Sequence, residues 1–198
     1  MLRFTAAAGI LLAASVATAN AQGFGVMAGA NFADISGDDI DGSDIDSRTG
    51  FVGGVFYEHK LGTSISIRPE VLYSFKGGTN TLAEDVTWQN DYIEVPVLLK
   101  YNFGSGATHP FVLIGPAISF NVNCNFTDGT DEASCDDVFG SDVASSTDFS
   151  GILGLGIQWN ALDINVRYDL GFTNVLEDVD ATNKTISILL GYNFTMPR

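Results

Sequence analysis

Along most of the chain, apolar and polar residues alternate with a period of two, the spacing of a strand whose two faces meet different surroundings. Eight such segments are predicted, at about 24–32, 51–60, 64–76, 91–103, 110–122, 149–160, 162–172 and 184–194. Three alternate cleanly. In the third, Ile65, Ile67, Val71, Tyr73 and Phe75 share one face, and Ser66, Arg68, Glu70, Ser74 and Lys76 the other. In the fourth, Ile93, Val95, Val97, Leu99, Tyr101 and Phe103 oppose Glu94, Lys100 and Asn102. In the seventh, Leu162, Ile164, Val166, Tyr168, Leu170 and Phe172 oppose Asp163, Asn165, Arg167 and Asp169. These segments are long enough to cross a bilayer as tilted strands, which takes ~9–11 residues.

The connections between segments fall into two classes. Leu61-Gly62-Thr63, Gly104 to His109 and Ala161 are short, whereas 33–50, 77–90, 123–148 and 173–183 are long. Because long and short alternate, an up-and-down barrel would carry all long connections on one end, with both termini and the short turns on the other. That is the asymmetry of a barrel threaded through an outer membrane, whose rims face different compartments. Pro69, Pro96 and Pro116 fall inside strands, where each removes a backbone donor, so bulges or bends are expected there.

Residues 1–21 read as an export signal. Arg3 gives a positive start, Ala6 to Ala17 an apolar stretch, and Ala19-Asn20-Ala21 a cleavage site before Gln22. The remainder, 22–198, is expected to be one barrel domain. No other stretch resembles a spanning helix, yet 45% of the residues are hydrophobic. An exported chain with so much apolar surface must bury it in a soluble core or show it to lipid as a closed barrel.

The segments Gly25-Val-Met-Ala-Gly-Ala-Asn-Phe-Ala-Asp34, Arg68-Pro-Glu-Val-Leu-Tyr-Ser-Phe-Lys76, Tyr92-Ile-Glu-Val-Pro-Val-Leu-Leu-Lys100, Gly115-Pro116 and Arg167-Tyr-Asp-Leu-Gly171 resemble the PorT-like outer-membrane β-barrel domain family. The resemblance spans nearly the whole chain after the signal. It implies an all-β fold, an eight-stranded antiparallel up-and-down transmembrane barrel in a Gram-negative outer membrane. It implies no shared enzymatic activity and no cofactor.

Charge sharpens this picture. Acidic residues outnumber basic ones 24 to 9, and 18 of the 24 lie in the four long connections. Such segments read first as solvated loops. Asp39, Asp41, Asp44 and Asp46 are weak candidates for a divalent cation, since carboxylate oxygens suit Ca²⁺, but their spacing matches no known cation loop. Expected partners are therefore outer-membrane lipid and lipopolysaccharide, with divalent cations or a protein at the acidic rim. Nucleic acid is excluded by charge repulsion. The strand charges Glu58, Arg68, Glu70, Glu94, Lys100, Asp163, Arg167 and Asp169 all fall on the polar face. Turned inward, they would form a lumen charge network in a barrel just wide enough to be filled by side chains.

Cys124 and Cys135 lie in the third long connection and are expected to form a disulfide in an exported protein. The chain has two histidines, His59 and His109, both placed by this topology at the short-turn end. Neither would reach the opposite rim to serve as a base beside a nucleophile. The expected role is thus non-enzymatic, structural or surface-binding. The alternatives are a soluble lipocalin-like carrier, with the apolar face inward around a ligand, and a narrow ion-conducting pore.

Overall fold

Every alternating segment forms a strand in the computed structural model, which describes residues 22–36, 45–80, 86–127, 132–134, 147–176 and 179–194. The strands are β1 (Gln22–Ser36), β2 (Ile45–Lys60), β3 (Ile65–Asn80), β4 (Val86–Asn102), β5 (Thr108–Thr127), β6 (Glu132–Ser134), β7 (Thr147–Trp159), β8 (Leu162–Leu176) and β9 (Val179–Asn193). All neighbouring strands are antiparallel. Eight of them close a barrel in the order β4-β3-β2-β1-β9-β8-β7-β5, with β5 returning to β4. No helix occurs among the described residues. The proposed export signal, 1–21, lies outside them.

The pleat sorts side chains by parity. Inward positions of β3 carry Ser66, Arg68, Glu70, Leu72, Ser74 and Lys76, all buried, while Val71 and Tyr73 point out and are exposed. On β8, Asp163, Asn165, Arg167 and Asp169 are buried, and Ile164, Val166, Tyr168 and Phe172 are exposed. The barrel is therefore polar inside and apolar outside. This overturns the soluble-carrier reading, which needs the apolar face around a ligand in the lumen. An unbroken outward apolar belt is stable only against lipid. Aromatic rings mark both edges of the belt. Phe24 stacks on Phe194 at 6.2 Å and Tyr101 packs edge-on against Phe103 at 4.9 Å near the short turns. Phe51, Tyr73 and Phe75 cluster towards the other end. Ten residues separate Leu162 from Phe172 on β8, which at ~3.3 Å per residue and a tilt of ~40° spans roughly 25 Å, the height of such a belt.

Four expectations need correction. Three of the four long connections are largely hairpin, because pairing continues past the belt to Ala33↔Arg48, Asn80↔Val86 and Leu176↔Val179. β6 is an additional short strand inside the third connection, paired with the end of β5 through Asn125↔Ser134. The interior is not uniformly polar, since Met27, Val52, Phe56, Leu72 and Leu189 form one apolar cluster and Leu98, Phe111, Leu113, Ala117 and Ile152 another. Finally, the strand prolines shift no register. Pairing lapses beside each one, between Phe56↔Glu70 and His59↔Ile67, between Pro69↔Val97 and Leu72↔Glu94, and between Pro96↔Ala117 and Leu99↔Ile114, and resumes in step. A missing donor removes a ladder bond without inserting a residue. The irregularities lie elsewhere, between Ser47 and Val52 on β2, between Asp91 and Tyr92 on β4 and between Leu170 and Leu176 on β8.

The short turns use the residues their geometry requires. Asn160, at φ 52°, sits in the two-residue β7–β8 turn, a left-handed conformation that Asn tolerates. Gly104, at φ 109°, does the same after β4.

The face assignment predicts an asymmetric cost for a new charge. Val97 is exposed on the belt midway between Ile93 and Tyr101. Val97→Arg is expected to destabilise the barrel by ~2–4 kcal/mol in lipid vesicles, measured by urea unfolding. A variant as stable as wild type would mean that this face does not meet lipid.

Candidate functional site in the barrel lumen

β3 and β8 lie diametrically opposite in the barrel, with three strands between them on either side. The inward charges of β3 are Arg68, Glu70 and Lys76, and those of β8 are Asp163, Arg167 and Asp169. Read along the barrel axis, the two series have complementary signs, and each pair meets across the lumen. Arg68 Nη1 lies 2.7 Å from Asp163 Oδ2. Arg167 grips Glu70 with both terminal nitrogens, at 2.6 and 2.9 Å. Lys76 Nζ lies 3.0 Å from Asp169 Oδ2. Three ion pairs thus lace opposite walls together.

Further contacts hold these groups in place. Arg68 Nε is 2.9 Å from Glu70 Oε1, so Glu70 joins two of the rungs. Asn165 donates to Asp163 at 2.9 Å and accepts from Arg167 Nε at 2.7 Å. The Arg68 guanidinium stacks over the Phe56 ring at 3.8 Å, and that ring occupies the space a side chain at Gly25 would need. Near the short turns, Lys100 Nζ donates to Glu58 Oε2 at 3.0 Å and Gln158 Oε1 at 2.8 Å, and Ser66 donates to Glu58 at 2.9 Å. Near the long connections, Lys76 also meets Glu94 Oε2 at 2.9 Å. A neutral relay crosses beside it, from Ser187 to Asn31 at 2.6 Å and from Asn31 to Ser74 at 2.7 Å.

The structure thus gathers Glu58, Arg68, Glu70, Glu94, Lys100, Asp163, Arg167 and Asp169 into one buried lumen. Lys76 is the omission that matters. It shares the parity of Arg68 and Glu70, and the alternation alone marks it as inward. Asn31 and Gln158 lie in strands whose alternation is weaker, and only the folded barrel shows their roles.

The lumen is closed at mid-height. A void of about 10 Å³ remains beside Lys76, Glu94 and Asp169. At the short-turn end the barrel opens into a vestibule of about 770 Å³, floored by Lys100, Glu58 and Gln158. His109 stands at its rim at the start of β5, its Nδ1 2.8 Å from Gly106 O. His59, on β2 near the same end, pairs with Ile67.

Asp39, Asp41 and Asp44 lie outside the described residues, and Asp46 lies on β2, paired with Thr79. Among the described residues no group of His, Cys, Asp and Glu is placed to hold a metal ion. Cys124 sits on β5 opposite Asn90, not in a loop, and is not a free thiol. Cys135 falls outside the described residues.

Removing one member of an opposed pair strands a charge in the lumen. Arg167→Met is expected to cost ~3–5 kcal/mol in urea unfolding. The double variant Arg167→Met/Glu70→Leu is expected to recover most of that loss. Additive costs would show that Arg167 and Glu70 do not act as a pair.

The sequence matches the outer membrane protein β-barrel domain over residues 18–177. Comparison with curated proteins gives no match. Among solved structures, Neisserial surface protein A is 16% identical, covering 86% of this chain and 97% of that one, with a TM-score of 0.53. The outer membrane enzyme PagL is 11% identical over 85% and 98%, with a TM-score of 0.52. Ail, the attachment invasion locus protein of Yersinia pestis, is 14% identical over 89% and 100%, with a TM-score of 0.50. At these identities the likeness is one of fold.

Proposed function

The chain belongs to the outer membrane protein β-barrel domain family, and from that premise we propose that it is a non-enzymatic barrel whose role is structural or surface-binding, carried by its long acidic connections. It is an integral protein of the Gram-negative outer membrane. The segments around Arg68, Tyr92 and Arg167 support a place among PorT-like barrels. Barrels of this class turn their short connections to the periplasm and their long ones outward.

The observation that carries the reading is the three ion pairs between β3 and β8. They fill the barrel at mid-height, where a void of only about 10 Å³ remains, which supports a plugged barrel over the narrow ion-conducting pore. With the interior spent on its own closure, recognition falls to the outer rim. Acidic residues concentrate there in the sequence, from Asp34 to Asp46 in the first connection and from Asp128 to Asp142 in the third. Lipid and lipopolysaccharide surround such a barrel, and carboxylate-rich connections favour divalent cations or a basic protein surface as further partners. Both histidines stand at the opposite end, which supports a role without acid–base chemistry at the rim. A Cys124–Cys135 disulfide would tie the third connection, contributing ~2–3 kcal/mol through loop closure.

Two measurements test this. Outer-membrane fractions run boiled and unboiled on gels are expected to show a heat-shifted band of the folded barrel. The purified protein in planar bilayers is expected to give no large, steady conductance. Sustained open-channel currents would overturn the closed-lumen reading. Thiol alkylation of the unfolded, unreduced protein is expected to label neither cysteine, and labelling of both would remove the disulfide.

A further inference from the structure

Charge in the lumen is balanced at one end and unbalanced at the other. Towards the short turns, Arg68, Lys100 and Arg167 meet Glu58, Glu70 and Asp163, three against three. Towards the long connections, Lys76 is the one cation among the described residues that is ion-paired with Glu94 and Asp169. Arg167 reaches the same void from its pair with Glu70, and Asp148 of β7 is also buried in this part of the barrel, so carboxylates still outnumber cations there. Carboxylates buried in excess of cations carry a large desolvation cost unless something compensates them.

The same place holds oxygens with nothing to bond. Asp169 Oδ1 and Thr185 Oγ1 have no hydrogen-bond partner among the described residues, although their own residues are only 6% and 2% exposed. Asp169 and Thr185 stand directly opposite each other on β8 and β9, and both line the void of about 10 Å³ beside Lys76 and Glu94. The nearby hydroxyls of Ser119, opposite Glu94, and of Ser150, on β7, are likewise unmatched. A void of this size admits one water or one small ion. A water would satisfy the two oxygens but leave the charge excess. A cation would satisfy both.

The geometry points to a binding site for one small monovalent cation, of sodium size, held by Asp169 and Thr185 in the outer part of the lumen. A divalent ion fits less well. Such ions take six or more oxygens with several carboxylates, and no set of three acidic or metal-binding side chains converges among the described residues. Lys76 neutralises one carboxylate, so a single further positive charge suits the remainder. Hydroxyl and carboxylate oxygens are the hard donors that such an ion prefers.

The test compares urea unfolding of the full barrel in lipid vesicles in sodium chloride and in N-methylglucamine chloride at equal ionic strength. The organic cation is too large for the void. Sodium is expected to raise the folded-to-unfolded ratio about tenfold, the effect of ligand at ~10 times its dissociation constant. Thr185→Val keeps the side-chain shape but removes the oxygen, and is expected to abolish the sodium dependence. Crystals soaked in thallous ion are expected to show an anomalous peak between Asp169 and Thr185. Equal stability in the two salts, or a sodium effect unchanged in Thr185→Val, would overturn the site. So would a lumen peak without anomalous signal, which would assign the void to water. Should Thr185→Val not fold, the salt comparison on the wild-type chain and the thallous soak still decide.

Discussion

The closed structure depends on ion pairing between opposite walls. A barrel strand has two faces, and in this chain the apolar face is committed to lipid. What remains is a polar face that must be satisfied without water in a space one side chain deep. Arg68, Glu70 and Lys76 on β3 solve this with Asp163, Arg167 and Asp169 on β8. Side chains from diametrically opposed strands reach the barrel axis and meet there. Each pair replaces the hydration that both charges lose.

The pairing also specifies the fold. Along β3 the inward signs run plus, minus, plus, and along β8 minus, plus, minus. Sliding one wall against the other by one inward position would set Glu70 towards Asp163, or Arg68 towards Arg167. Buried charge pairs add little net stability compared with apolar packing, but like charges facing each other in a dry lumen are strongly unfavourable. The charges therefore act mainly against wrong closures, while outward burial in lipid and the antiparallel ladders supply the driving force. The two small apolar clusters in the lumen fill space where no charge is needed. Phe56 serves both purposes, packing with Met27 and Leu72 while its face takes the Arg68 guanidinium.

Much of this was legible in the alternation. Period two in β3, β4 and β8 placed seven of the eight network residues on one face, with Glu58 on β2 the eighth, and the long–short rhythm of connections gave the up-and-down order. Parity could not say which strands would be opposite. That is a property of closure, and it makes Lys76 a partner of Asp169 although 93 residues separate them. The extended hairpins were hidden because their sequences are rich in Gly, Thr, Asn and Asp, although Val86 and Trp88 on β4 and Cys124 and Phe126 on β5 keep a trace of the alternation. Beyond the belt apolar residues become sparse, so the pattern fades while the ladder continues. β6 was hidden for the same reason. The prolines misled in the opposite sense. They suggested bulges, whereas a strand can lose a ladder bond without changing its register when neighbouring pairs hold it in place.

A barrel closed in this way separates its two ends. The opposed pairs stand between the vestibule lined by Glu58 and Lys100 and the end beyond Lys76 and Glu94. Breaking one would leave buried charges uncompensated, so the cost falls on the fold as a whole and not on a local gate. The end with an excess of carboxylates is also the end from which the long acidic connections emerge. Negative potential from the rim and from the lumen therefore adds where they meet, and raises the local concentration of cations there. Under the proposed surface-binding role, the charge pattern that closes the barrel and the acidic sequence of the long connections would act in the same sense, towards positively charged partners.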